Sequence, residues 1–152
     1  MPQKHFLVKT EGEITTVTGF LLEILNLPTL MLLHGNLGAG KTTLAKHLLE
    51  RLGIDKNQVK SPTYSLINNF QVQINGKAVF INHIDLYRLE KHDPLLLEEI
   101  NQLLSVPSSI TLIEWPEKLD LQSLISNQLQ VIKIDIALQE NHSREFTVKI
   151  KP

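Results

Sequence analysis

The chain has no cysteine. That excludes disulfides, thiolate nucleophiles and thiolate metal sites, and it says little about compartment. Charge is not concentrated: the net value is −1, and no Lys/Arg run offers a footprint for a phosphate backbone. Tight, autonomous nucleic-acid binding is therefore not expected. Arginine is scarce, with only Arg51, Arg88 and Arg144, and Trp115 is the one tryptophan. No apolar run approaches the roughly 18 residues that a membrane span needs. The opening stretch Met1–Lys9 lacks the apolar core of a secretion signal. The expectation is a cytoplasmic protein without membrane contact. Neither repeats, low-complexity segments nor a long linker divide the sequence, so residues 1–152 are expected to form a single domain. With 42% hydrophobic and 20% charged residues, the chain can build one substantial core.

What is present alternates between two periods. Phe6–Lys9 reads as a short strand. Thr10-Glu11-Gly12-Glu13 fits a capping box ahead of a helical stripe at Ile14, Val17, Leu21 and Leu25. Thr29–His34 is continuously apolar, as a strand buried on both faces should be. Leu44, Ala45, Leu48, Leu49 and Leu52 make a second helical stripe, stopped by Gly53. Ser65–Ile74 and Lys77–Asp85 are rich in β-formers, and Asn75-Gly76 between them suits a type I′ hairpin turn. Asp93-Pro94 reads as an N-cap and first helical residue. That helix runs to about Leu104. Ile110–Glu114 is a further buried strand, ended by Trp115-Pro116, and the tail, alternating Ile132, Ile134, Ile136 and then Phe146, Val148, Ile150, folds into a hairpin around Asn141-His142-Ser143. Strands alternate with helices first and antiparallel pieces follow, which predicts an α/β sandwich on a mixed sheet.

Between the first buried strand and the second helix stands Gly35-Asn36-Leu37-Gly38-Ala39-Gly40-Lys41-Thr42, followed by Thr43. The pattern G-x-x-x-x-G-K-[ST] has a physical logic. Glycines let the backbone curl so that its N–H groups converge on phosphate oxygens. The helix that follows turns its positive end toward the same anion. Lys41 would reach the β- and γ-phosphates of a nucleotide, and the Thr42 hydroxyl would ligate magnesium. Such a loop needs an acid for the metal at the end of a neighbouring apolar strand. Two residues qualify: Glu114 after Ile110–Ile113, and Asp85 after Val79–Ile84. In strand geometry His83, Asp85 and Tyr87 share one face. His34 and His83 read as structural histidines.

Four segments together resemble the TsaE family, the bacterial ATPases of tRNA threonylcarbamoyladenosine synthesis. They are Gly35–Thr43, Val59–Tyr64 (VKSPTY), His83–Leu89 (HIDLYRL) and Ile113–Lys118 (IEWPEK). The resemblance implies a P-loop NTPase fold: a three-layer sandwich with a mixed, largely parallel central sheet and antiparallel edge hairpins. It implies ATP or ADP with Mg²⁺ as ligands. Thr42 and Glu114 correspond to the family's magnesium ligands. Asp85 corresponds to its essential acid near the γ-phosphate, and is the alternative metal acid. Ser61–Tyr64 corresponds to a switch segment, with Thr63 facing the nucleotide, so Lys41, Thr63, Asp85 and Glu114 form the implied catalytic set. The adenine position in relatives points to Glu11 and Arg144. Asn36 stands where the family usually has aspartate, and Ser143 where a glycine usually precedes the arginine. The implied partners are TsaD- and TsaB-like proteins, with tRNA engaged only indirectly.

The competing enzymatic reading is a small-molecule or nucleotide kinase. Such enzymes clamp phosphates with several arginines, because the guanidinium fork binds phosphate bidentately. This chain has three arginines and no arginine-bearing lid. A GTPase would carry N-K-x-D after the loop, and none is present. The remaining alternative is a nucleotide-gated binding module that turns over little by itself.

Overall fold

A computed structural model of the chain describes residues 2–59 and 66–151. Among these, seven strands form one sheet around an apolar axis. That axis is β2 (Thr29–Gly35), whose Leu30, Met31 and Leu33 are fully buried. A strand so apolar on both faces must be covered on both, and it lies at the centre of the sheet. Parallel to it run β5 (Ser109–Glu114) on one side and β6 (Gln130–Leu138) on the other. Beyond β5 lies β4 (Lys77–Asp85), also parallel, and then β3 (Ile67–Ile74), antiparallel. On the far side β7 (Arg144–Lys151) returns antiparallel to β6, and β1 (Gln3–Val8) closes the edge. The order is β1-β7-β6-β2-β5-β4-β3.

Helices cover the two faces unequally. Helices α1 (Ile14–Glu23) and α2 (Lys41–Arg51) pack on one face. Their Ile14, Val17, Leu21, Leu44, Leu48 and Leu49 meet Met31, Leu33, Ile81, Leu112, Ile132 and Ile134. Helix α3 (Pro94–Leu104) covers the other, with Leu96, Ile100 and Leu104 against Leu30, Ile84, Ile113 and Val131. The result is a three-layer α/β sandwich in which the strands' C-terminal ends and the N-terminus of α2 gather at one rim.

Local chemistry accounts for most boundaries. Asn75 and Gly76 both take positive φ (53° and 76°), as a type I′ turn demands, and fix the β3–β4 register. The Asp93 carboxylate accepts from the N–H groups of Leu95 and Leu96 and starts α3, with Pro94 in its first turn. The capping box expected at Thr10 does not form. Glu13 reaches back to the N–H of Lys9 (2.7 Å), but the Thr10 hydroxyl makes no cap. A 3-10 turn at Glu11–Glu13 precedes α1 instead. The first strand begins earlier than Phe6, because β1 pairs with β7 from Gln3 to Val8. The expected hairpin start at Ser65 and the segment Ser61–Tyr64 lie outside the described residues.

Candidate nucleotide-binding site

Two contacts shape the glycine loop. A Cβ on Gly35 would stand 2.8 Å from the Ile136 carbonyl oxygen of β6, closer than real Cβ atoms approach, so only glycine lets the loop leave the sheet there. Gly40 sits at φ 115° at the N-cap of α2, with Arg144 packed directly over it. That left-handed conformation favours glycine strongly. Ala39 N–H closes a turn on the Asn36 carbonyl (3.0 Å), and α2 begins at once, its free N–H groups at the rim.

The lysine is buried, only 5% exposed. Its ammonium donates to the carbonyls of Gly35 and Asn36 (the latter 3.0 Å) and lies 4.0 Å from the centre of the Trp115 ring. Burial lowers its pKa below the usual lysine range, and the charges of Glu114, Glu117 and Asp85 oppose that shift. Trp115 holds φ 59°, rare for a bulky residue, and its ring packs against Tyr87 with centroids 5.1 Å apart. The strained turn places an aromatic face over the lysine, an arrangement attractive in itself.

Glu114, 1% exposed at the end of β5, has both oxygens engaged. Thr42 Oγ1 donates to Oε1 at 2.7 Å, and His83 Nε2 lies 2.6 Å from Oε2. Asp85 is Glu114's cross-strand partner in the parallel β4–β5 register and accepts from the Tyr87 N–H at 3.0 Å. Its carboxyl is pushed above the usual aspartate range, mainly by burial and further by Glu114. The Tyr87 N–H, His83 and Lys41 pull the other way. His34, where β2 meets the loop, has its imidazole lowered by burial and by Lys133, with Glu117 3.6 Å away.

These residues line one cavity of about 220 Å³, bounded by Leu37, Gly38, Gly40, Lys41, Thr42, Thr43, Asp85, Tyr87, Glu114, Trp115 and Arg144. The structure thus brings together Lys41, Thr42, Thr43, Asp85, Glu114 and Arg144. Gly35 and Asn36 serve it through their carbonyls. Arg144 Nε is buried and has no hydrogen-bond partner among the described residues. Glu11 is apart from the group. It is exposed, and its carboxylate lies 3.1 Å from His47 Nε2. Thr63 lies outside the described residues. A wider groove, about 860 Å³, runs along His5–Leu7 and Gln139–Asn141 and shares no residue with the loop.

For a cation, the cavity offers a hydroxyl and a carboxylate 2.7 Å apart. Among the described residues no cluster of three or more His, Cys, Asp and Glu forms a closed metal cage. One or two hard oxygen donors fit magnesium, which keeps waters and shares substrate phosphates, and do not fit zinc.

A sequence model of the family described as "Threonylcarbamoyl adenosine biosynthesis protein TsaE" matches residues 8–146. The chain belongs to the TsaE family. The tRNA threonylcarbamoyladenosine biosynthesis protein TsaE of Haemophilus influenzae is 44% identical over 86 residues, covering 57% of this chain and 51% of its own. Its counterpart in Synechocystis is 41% identical over 101 residues, 65% and 61% respectively. That of Nostoc is 39% identical over 119 residues, 76% and 69%. The matched part thus spans about half to two thirds of these relatives. In three dimensions the chain resembles the crystal structure of Bacillus subtilis YdiB, with a TM-score of 0.67 at 22% identity, covering 97% of this chain and 84% of that one. The fold is the P-loop NTPase sandwich that the TsaE resemblance implied, with four parallel central strands and antiparallel pairs at both edges. Among the described residues no helix is long and apolar enough to cross a membrane.

Two features of the site depend on contacts distant in sequence. Trp115 directly follows Glu114, and its position over Lys41 depends on an unusual φ that no local motif announces. His83 is a buried structural histidine, as expected, and the carboxylate it holds is that of Glu114. Its H-x-D spacing from Asp85 was a usable signal, but only the β4–β5 register shows which carboxylate it reaches.

Proposed function

We propose that the chain is one P-loop ATPase domain that binds ATP with magnesium at the Gly35–Thr43 loop and hydrolyses it weakly. In this reading it serves tRNA N6-threonylcarbamoyladenosine formation as a cytoplasmic nucleotide switch on a complex of TsaD- and TsaB-like proteins. The observation that carries the reading is the single cavity joining Lys41, Thr42, Glu114 and Asp85 at the N-terminus of α2. TsaE membership supports the pathway.

Each residue then has a task. The loop N–H groups and the α2 terminus take phosphate oxygens. Lys41 exchanges its two carbonyl partners and the Trp115 face for the β- and γ-phosphates. Thr42 and Glu114 hold the magnesium, which offsets phosphate charge. Asp85, which lines the cavity beside Glu114 with its pKa raised, is in this reading the acid near the γ-phosphate. In this reading Arg144, packed over Gly40 at the cavity, and Glu11, apart from it beside His47, are the contacts for the adenosine. Thr63, within Ser61–Tyr64, is the switch residue that senses the γ-phosphate, in the manner of order–disorder switches. The threonylcarbamoyl transfer itself belongs to the partner complex, and tRNA touches this chain only indirectly.

The kinase reading finds less support. Arg51 is committed to the Thr15 carbonyl and the Thr18 hydroxyl, Arg88 lines a separate cavity beside Pro94, and among the described residues Arg144 is the arginine lining this cavity. Reconstitution with TsaD- and TsaB-like proteins tests the proposal. Multiple rounds of tRNA modification are expected with ATP and a single round or none with a non-hydrolysable analogue. Equal turnover with both would reduce the chain to a binding module.

A further inference from the structure

His83 stands in a place where sequence logic calls for an apolar side chain. On the α2-covered face of β4 it follows Val79 and Ile81, and beside it on β5 run Ile110 and Leu112, all buried. A leucine would continue that row. Instead an imidazole, 1% exposed, spends one nitrogen on Glu114 and leaves Nδ1 buried with no partner among the described residues. Orphaned buried polar atoms are unfavourable and are kept where another demand outweighs them. Here that demand is the orientation of one carboxylate.

Glu114 cannot orient itself. Its terminal torsion is soft, and the Lys41 ammonium, which feels its charge, is an attractive alternative partner. If the carboxylate swung to Lys41, the phosphate-binding cation would be neutralised and the Thr42 hydroxyl would lose its acceptor. The hydrogen bond from His83 to Oε2 pins the far oxygen and leaves Oε1 to Thr42. Thr42, having given its only proton to Glu114, turns its lone pairs outward to the cavity, the state a cation requires. Metal sites generally depend on such outer hydrogen bonds to hold their ligands.

We propose that His83 is a positioning residue for nucleotide-bound magnesium, holding Glu114 toward Thr42 and away from Lys41 through its Nε2–H. The inference rests on the reading of Glu114 as the magnesium acid. Side-chain geometry supplies a sharp test, because a glutamine amide nitrogen falls near the position of histidine Nε2, whereas an asparagine amide nitrogen falls near Nδ1. ATP binding to His83→Leu, His83→Asn, His83→Gln and Glu114→Ala would be followed by calorimetry in EDTA and across a magnesium titration. His83→Leu and His83→Asn are expected to raise the half-saturating magnesium concentration about 10- to 100-fold, the usual effect of losing an outer-shell partner. Affinity in EDTA should stay near wild type, and His83→Gln should recover most of the magnesium response. Should His83→Leu not fold, the contrast between glutamine and asparagine decides. A glutamine variant as defective as the asparagine one would overturn the proposal. So would an equal loss of affinity in EDTA, which signals general damage. If Glu114→Ala shifts the magnesium response and His83→Leu does not, only the role of His83 falls. If Glu114→Ala leaves it untouched, the magnesium reading of Glu114 falls too.

Discussion

On β4 and β5 the two faces of the sheet differ in polarity at the strands' C-terminal ends. Under α2, the β4 row passes from Val79 and Ile81 to His83 and Asp85, and the β5 row from Ile110 and Leu112 to Glu114. Under α3, Asn82 of β4 donates to Thr111 of β5 at 3.1 Å in mid-strand, and the same strands end apolar at Ile84 and Ile113. At that end of β4 and β5, therefore, the ionisable His83, Asp85 and Glu114 lie back to back with the buried apolar Ile84 and Ile113. The comparison teaches that the strands' C-terminal ends are not polar merely because strands end there. On β4 and β5 only the face turned to the glycine loop carries charge at that end, whereas on β6 the opposite face carries the Lys133–Asp135 pair.

If that division is right, damage to the α3 face should cost stability and spare binding. Ile100, fully buried on α3, gives the largest expected effect. Ile100→Ala should lower unfolding free energy by about 2–5 kcal/mol in urea, with the ATP affinity of the folded fraction unchanged. An affinity loss matching the stability loss would mean the two faces are not separable. Asp93→Ala removes the two N-cap hydrogen bonds of α3. It should cost about 0.5–2 kcal/mol in the same assay and again leave binding alone.

The smallest effect should appear on the charged face, with reversed sign. The Asp85 carboxyl is raised in pKa chiefly by burial. The folded state therefore holds that proton more tightly than the unfolded chain, and stability falls as pH rises through the folded-state value. Asp85→Asn cannot ionise and escapes that loss. The nucleotide-free variant should melt slightly above wild type at neutral pH, the gap closing on acidification below the folded-state pKa. Its ATP turnover should drop more than its ATP affinity. A gap that widens at low pH would contradict the assignment.

Much of this was legible where the determinants are local. The phosphate loop, the Asn75-Gly76 turn and the Asp93-Pro94 helix start each depend on side chains and backbone within a few residues. The position of β6 was only half legible. Its alternating Ile132, Ile134 and Ile136 predicted a hairpin strand, but its parallel pairing with β2 joins residues a hundred positions apart. The His83–Glu114 bond was hidden for the same reason, since it needs the register of two strands separated by a helix. Thr10 failed as a cap because a 3-10 turn intervenes and Glu13 bonds Lys9 instead.

The central claim is that the Lys41 cavity binds the phosphates of ATP. Trp115, the one tryptophan, reports on it directly, because its ring lies over the lysine that the phosphates must draw away. Titrating ATP with magnesium should give a saturable change in intrinsic fluorescence, with the affinity confirmed by calorimetry. Lys41→Ala, folded by circular dichroism, should bind about 10- to 100-fold more weakly, the equivalent of about 1.5–3 kcal/mol for a charge-assisted contact. A folded Lys41→Ala protein that binds ATP as tightly as wild type would place the phosphates elsewhere and contradict the account.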